Sequence, residues 1–173
     1  GLHALDWTTA AMQLRERIAF LHRKGIEGFP DVSDESLLAT LEAWLGPYLF
    51  GVRKLSALKE VDLCVVFQGM LGANILELDR MAPSHIRVPS GSRIRIDYSE
   101  EIPCLAVRLQ EVFGMLETPK ICGEPILMKL LSPAMRPVQL TQDLQSFWKN
   151  GYPLVRKDLR GRYPKHKWPE NPI

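Results

Sequence analysis

Apolar residues follow two different periods along this chain. Trp7, Ala11, Leu14, Ile18 and Leu21 recur at steps of four and three, which puts them on one stripe of an α-helix. Arg15, Glu16, Arg17, Arg23 and Lys24 fall mostly off that stripe. Gly25 predicts the helix end, with Gly28-Phe29-Pro30 as the connection. Ser33 is a good N-cap for a second helix, with Asp34 and Glu35 in the first turn, where the helix dipole favours negative charge. Leu37, Leu38, Leu41, Trp44 and Leu45 supply its apolar face, and Gly46-Pro47 stops it. Ser56 predicts the cap of a third helix running through Phe67. A fourth is expected from about Ala73 to Met81, closed by Pro83.

Beyond this point the period falls to two. Arg93-Ile94-Arg95-Ile96-Asp97-Tyr98 alternates polar and apolar, as a half-buried strand does. Pro89-Ser90-Gly91-Ser92 is turn chemistry, so Ile86–Val88 is expected to pair with it as a hairpin. Pro103 suits a first helical position, and Leu105, Leu109, Val112 and Phe113 predict a helical face ended by Gly114. Ile126–Leu131, nearly all apolar, predicts a buried strand. The Ser132–Pro137 segment turns the chain into a short strand at Val138–Leu140. Thr141 is expected to cap a helix through Trp148, and Pro153 to open another ending at Gly161.

The resulting fold class is α+β. A helical subdomain of about four helices at 1–83 packs with a small, mainly antiparallel sheet carrying a helix at 84–141. A basic, aromatic helical tail follows at 142–173. No repeat or low-complexity stretch interrupts the pattern.

Composition is that of an ordinary globular protein: 173 residues, 46% apolar and 24% charged. No apolar run approaches the roughly 18 residues of a membrane span, and no signal-peptide pattern opens the chain. The first residue is Gly1 rather than methionine, so a piece of a longer protein is expected. Cys64, Cys104 and Cys122 are odd in number and lie among apolar neighbours, which predicts free thiols in a reducing compartment, the cytoplasm. Formal net charge is only +2, but it is unevenly placed. Residues 149–173 hold seven basic side chains against Asp158 and Glu170, a local +5, and the remainder carries −3. Such polarity attracts polyanions.

Catalytic chemistry is sparse. A P-loop NTPase needs G-x-x-x-x-G-K-[ST] to cradle phosphates and an acidic motif for magnesium, and neither occurs. No G-x-G-x-x-G follows a strand and no G-x-S-x-G marks a nucleophile elbow. His3, His22, His85 and His166 are too scattered for a metal site, and Glu100-Glu101 reads as a solvated turn. No catalytic residue, metal ligand or cofactor is expected in this chain.

Several segments resemble the C-terminal region of HrpB-type DExH-box helicases. The most specific is Arg160-Gly161-Arg162-Tyr163-Pro164-Lys165-His166, followed after Lys167 by Trp168-Pro169. Leu131-Ser132-Pro133-Ala134 with Arg136-Pro137, then Gln139, Thr141, Asp143-Leu144 and Phe147-Trp148, are also similar. So are Val88–Ser92 and Leu105–Glu111 with Phe113-Gly114. In the helical half, Leu14-Arg15, Phe20-Leu21, Pro30-Asp31 and Trp44-Leu45 before Pro47-Tyr48-Leu49 fit less specifically. Leu71-Gly72-Ala73 departs from the group, where a Pro-Trp helix start is usual. The resemblance implies a parent helicase whose ATP and magnesium are held by motor domains outside this chain. Expected partners are the remainder of that chain, single-stranded RNA and a further protein, with no membrane role.

Two surfaces are candidates for nucleic acid. In the tail, Arg156, Lys157, Arg160, Arg162, Lys165 and Lys167 interleave with Tyr163 and Trp168, and four of the eight Trp and Tyr residues fall between Trp148 and Trp168. Planar rings can stack on bases while cations neutralise phosphates. The same rings can instead anchor a proline-punctuated tail to a core. The second candidate is a strip of Arg87, Arg93 and Arg95 on the expected hairpin, against the plainer reading of an exposed charged face. Arg108 and Gln110, expected in a helix, suggest a salt bridge or docking contact. A docking module would instead expose an apolar patch around Trp44, Tyr48, Leu49 and Phe50.

Overall fold

In a computed structural model describing residues 1–173, the chain divides into two compact units, Gly1–Ser84 and His85–Ile173. The α+β class is as expected. The first unit is helical. Its long helix α1 (Thr9–Arg23) is capped by Thr8, whose hydroxyl accepts from the Ala11 amide, and it buries Ala11, Leu14, Ile18, Phe20 and Leu21. The expected Ser33 cap is present, accepting from Ser36 N. The helix that it opens divides into α2 (Asp34–Ala39) and α3 (Leu41–Trp44). Thr40 causes the break: its hydroxyl donates back to Ser36 O at 2.8 Å, and its backbone leaves helical geometry.

The third helix starts later than expected. Leu55–Glu60 forms a 3-10 turn, and Asp62 rather than Ser56 caps α4 (Leu63–Leu71), accepting from Cys64 N and Val65 N. An aspartate can accept both amides and also carries the charge that the helix N-terminus favours. Gly72–Asn74 is another 3-10 turn before α5 (Ile75–Met81). Arg17 ties α1 to the end of α5. Although 6% exposed, it donates from Nε to Ala82 O (2.7 Å) and from its guanidinium terminus to Asp79 (2.7 Å). Arg17→Ala should therefore cost about 2–3 kcal/mol in urea unfolding, since a buried carbonyl loses a charged donor and the alkyl stem its packing. Arg17→Lys should recover less than half, because one ammonium cannot span both acceptors. A loss below about 0.5 kcal/mol for Arg17→Ala would refute this role.

The second unit is built on a five-stranded sheet in the order β1-β2-β3-β6-β7: β1 (His85–Arg87), β2 (Arg93–Asp97), β3 (Cys104–Arg108), β6 (Leu127–Leu131) and β7 (Pro137–Thr141). A separate small hairpin pairs β4 (Lys120–Ile121) with β5 (Glu124–Pro125). The expected β1–β2 hairpin is present, and Glu111 pins its turn by accepting from the Ser90 and Ser92 hydroxyls. The helix expected after Pro103 is instead β3 followed by a 3-10 turn at Leu109–Val112. Burial alternates through Leu105, Val107 and Leu109, while Ala106 and Arg108 are exposed. β3 pairs parallel with β6, from Cys104 opposite Leu127 to Arg108 opposite Leu131, and every other pair in the sheet is antiparallel.

The helical segment after β7 is capped by Asp143, not Thr141. Asp143 accepts from Ser146 N, and the Thr141 hydroxyl accepts from Asp143 N. Three residues of α6 (Leu144–Ser146) widen into a π-helical stretch at Phe147–Gly151, which leads directly into α7 (Tyr152–Arg162).

Candidate nucleic-acid interface

The tail is an anchored structure. Trp148, Tyr152 and Trp168 are buried, and Phe113 meets all three rings at centroid distances of 5.9–6.3 Å. Trp168 is 6% exposed and its indole donates to Tyr163 O at 3.0 Å. The Trp168 and Pro169 carbonyls accept from Arg156 Nε (2.7 Å) and the Tyr152 hydroxyl (2.6 Å), and Pro172 O accepts from Gly114 N. Burial pushes the Tyr152 phenol up, opposed by the Arg156 charge. Prolines on either side of this segment remove amide donors that would otherwise need partners. Trp168 is therefore placed as a core anchor and Arg156 as a strap. Among the tail's rings, the half-buried Tyr163 and the exposed His166, 6.2 Å apart, border solvent.

The remaining tail cations are differently placed. On α7, residues three and four apart share a side, so Arg156 and Arg160 align with Lys157 beside them. Leu154, Val155, Asp158, Leu159 and Arg162 instead border the groove at the Ser132–Pro137 turn. Arg162 faces that side and pairs with Asp158 at 3.3 Å. Lys157, Arg160, Lys165 and Lys167 are exposed and hold no ion pair.

The hairpin arginines meet across strands: Arg87 lies opposite Arg93, and His85 opposite Arg95. All three arginines are exposed, and Arg87 donates to Gly91 O. Sheet topology adds two cations that sequence reading did not group with them. Arg108 and Lys129 lie on the same outward face, on β3 and β6, with Asp97 and Cys104 toward its other end. Burial pushes the Cys104 thiol up, Asp97 adding to the shift and Lys129 opposing it. Arg108 Nε contacts Met135 Sδ at 3.1 Å. The missed signal was alternation at 104–108, which the helical reading of Leu105 and Leu109 concealed.

The other expected features are partly rearranged. Trp44 is buried, its indole donating to Leu37 O, whereas Phe50 is 99% exposed. None of the three cysteines forms a disulfide. No three His, Cys, Asp or Glu side chains are grouped so that they could hold a metal ion. No helix is long and apolar enough to cross a membrane. A groove of about 800 Å³ lies in the first unit beside Trp7, Met12 and Arg15, and Arg15 there is bound to Asp34 and Val32 O.

Comparison with known proteins agrees over the whole length. The chain is 47% identical to the ATP-dependent RNA helicase HrpB of Escherichia coli (strain K12) across 99% of its residues, and it spans 22% of that relative. It superposes on the crystal structure of the E. coli DExH-box NTPase HrpB with a TM-score of 0.92 and 46% identity, covering 99% of this chain and 22% of that one. A second crystal structure, of the Escherichia coli DEAH/RHA helicase HrpB, gives a TM-score of 0.78 at 45% identity, over 97% and 22% of the two chains. The family described as ATP-dependent helicase C-terminal matches residues 44–172, three-quarters of the chain, and the chain belongs to that HrpB C-terminal family.

Proposed function

We propose that this chain is an accessory region of an ATP-dependent RNA helicase that helps to hold RNA while motor domains elsewhere in the parent hydrolyse ATP. The carrying observation is the pairing of an anchored tail with free cations. Trp168, Tyr152 and Arg156 fix the backbone around α7, while Lys157, Arg160, Lys165 and Lys167 stand exposed without acidic partners. Cations held on an ordered frame lose little entropy on meeting phosphates, and counterion release supplies the driving force. Tyr163, with the exposed His166 ring beside it, is available for contact with a base. ATP and magnesium belong, on this reading, to the parent's motor domains, and the protein acts in the cytoplasm.

Replacing Lys157, Arg160, Lys165 and Lys167 together by alanine should weaken binding of single-stranded RNA at least about tenfold at low salt. It should also lower the salt slope by about 3, at roughly 0.7 per phosphate contact. Fluorescence anisotropy at several salt concentrations reads both quantities. Unchanged affinity and slope, with unchanged circular dichroism, would remove the tail from the interface.

A second reading, docking onto other parts of the parent, is favoured by exposed apolar side chains in the first unit. Phe50 is 99%, Leu55 75% and Leu76 78% exposed. Isolated apolar side chains are common on protein surfaces, so the RNA reading is preferred.

A further inference from the structure

The geometry points to a second nucleic-acid surface, separate from α7: the outward face of the five-stranded sheet, fitted to the phosphate backbone of a single strand. Alternation along β2 turns Arg93, Arg95 and Asp97 outward and Ile94 and Ile96 inward. Antiparallel β1 places Arg87 beside Arg93. Because β3 runs antiparallel to β2, with Cys104 opposite Asp97, its far residue Arg108 falls toward the Arg93 end. β6 runs parallel to β3 and sets Lys129 beside Ala106, midway along the face. Five cations thus share a face with one carboxylate, and no salt bridge joins any of them to an acid.

Like charges directly opposite on a sheet destabilise it, so Arg87 facing Arg93 is a local cost of the folded state. A polyanion laid across the pair would remove that repulsion. Outward residues two apart on a strand lie about 6.8 Å from each other, and neighbouring strands about 4.8 Å apart. Cations at those spacings can contact successive phosphates of one strand. Between them Cys104 and Ala106 are short, and the face otherwise carries His85 opposite Arg95 and the exposed Leu140 opposite Lys129, so its cations offer contact chiefly to the backbone, independent of sequence. Duplex recognition instead uses an element that enters a groove, which a flat sheet face does not offer.

Polarity along the face gives the proposal a two-signed test. The cationic end carries Arg87, Arg93 and Arg108. The opposite end carries Asp97, which leads into the Glu100-Glu101 turn. The 173-residue chain is titrated into a labelled oligouridylate of about 15 nucleotides, at several salt concentrations, with three variants. The combined Arg93→Ala, Arg95→Ala, Lys129→Ala variant should bind about tenfold more weakly at low salt, with a salt slope lower by about 2. Asp97→Asn should bind about twofold more tightly. Asparagine retains the oxygen that accepts from Ser99 N at 2.8 Å, so the turn after β2 is preserved. The α7 and tail alanine variant is the third arm. Loss of binding there alone, with both sheet variants unchanged, would overturn the sheet proposal and leave the tail reading standing. Loss in the sheet variant alone would do the reverse. If the triple variant fails to fold, Asp97→Asn decides: unchanged or weaker binding overturns the proposal. Equal competition by an RNA duplex of the same length also overturns it.

Discussion

Replacing Trp168 by alanine should destabilise the second unit by about 3–5 kcal/mol, the range found when a buried large aromatic is truncated. The side chain is 6% exposed and stands edge-on to Phe113 at 6.3 Å. Its indole N–H satisfies Tyr163 O, and its own carbonyl receives Arg156 Nε. Truncation therefore opens a cavity and strands a carbonyl together. It also frees the segment that carries Lys165 and Lys167, so RNA affinity should fall with stability if the tail is an interface. Trp168→Phe keeps most of the apolar volume and loses chiefly the indole hydrogen bond, at a cost of about 1–1.5 kcal/mol. Urea unfolding followed by circular dichroism separates the two variants. An alanine variant within about 0.5 kcal/mol of the parent would show that Trp168 is no anchor.

Phe67→Ala should be comparably severe in the first unit. Phe67 lies on α4 with no exposed surface, stacked on Trp44 at 5.9 Å and 11°, with Trp7 tilted against it at 5.8 Å. The three rings come from separated segments, so their shared centre holds α4 against the N-terminal segment and α3. Losing it should cost about 3–5 kcal/mol, including the two ring contacts. Phe67→Leu, closer in volume, should cost well under half of that. A midpoint shift for Phe67→Ala no larger than that for Phe67→Leu would contradict this account.

What was legible in advance was what adjacent residues decide among themselves. Of the stripe Trp7, Ala11, Leu14, Ile18 and Leu21, the last four became the buried side of α1 because helical spacing is set by the backbone, while Trp7 precedes the Thr8 cap. Ser33 capped α2 because its hydroxyl needs only the amide three residues on. The β1–β2 hairpin followed from alternation flanking a Pro-Ser-Gly-Ser turn. Caps failed where two local candidates competed: Asp62 won over Ser56, and Asp143 over Thr141. In both cases the carboxylate offers a charged acceptor to the helix N-terminus, which a hydroxyl does not.

The candidate sites divide in the same way. The excess of tail cations is a property of composition, and the alignment of Arg156 and Arg160 on one side of α7 is a property of helical period. Whether the tail's rings were stackers or anchors could not be settled locally, because Trp168 is buried by Phe113, more than fifty residues away.

By itself, the sequence determined the helical first half, the α+β class, the β1–β2 hairpin and the concentration of positive charge near the C-terminus. Each follows from spacing or composition within a few turns of chain. Tertiary structure alone decided that 104–108 is a strand, since Leu105 and Leu109 suit a helix until β6 offers a parallel partner. It decided too that Trp168 is an anchor, and that Arg108 and Lys129 join Arg93 and Arg95 on one face. Those outcomes depend on which distant backbone supplies hydrogen bonds and which distant side chains exclude water, and neither is encoded in the local period.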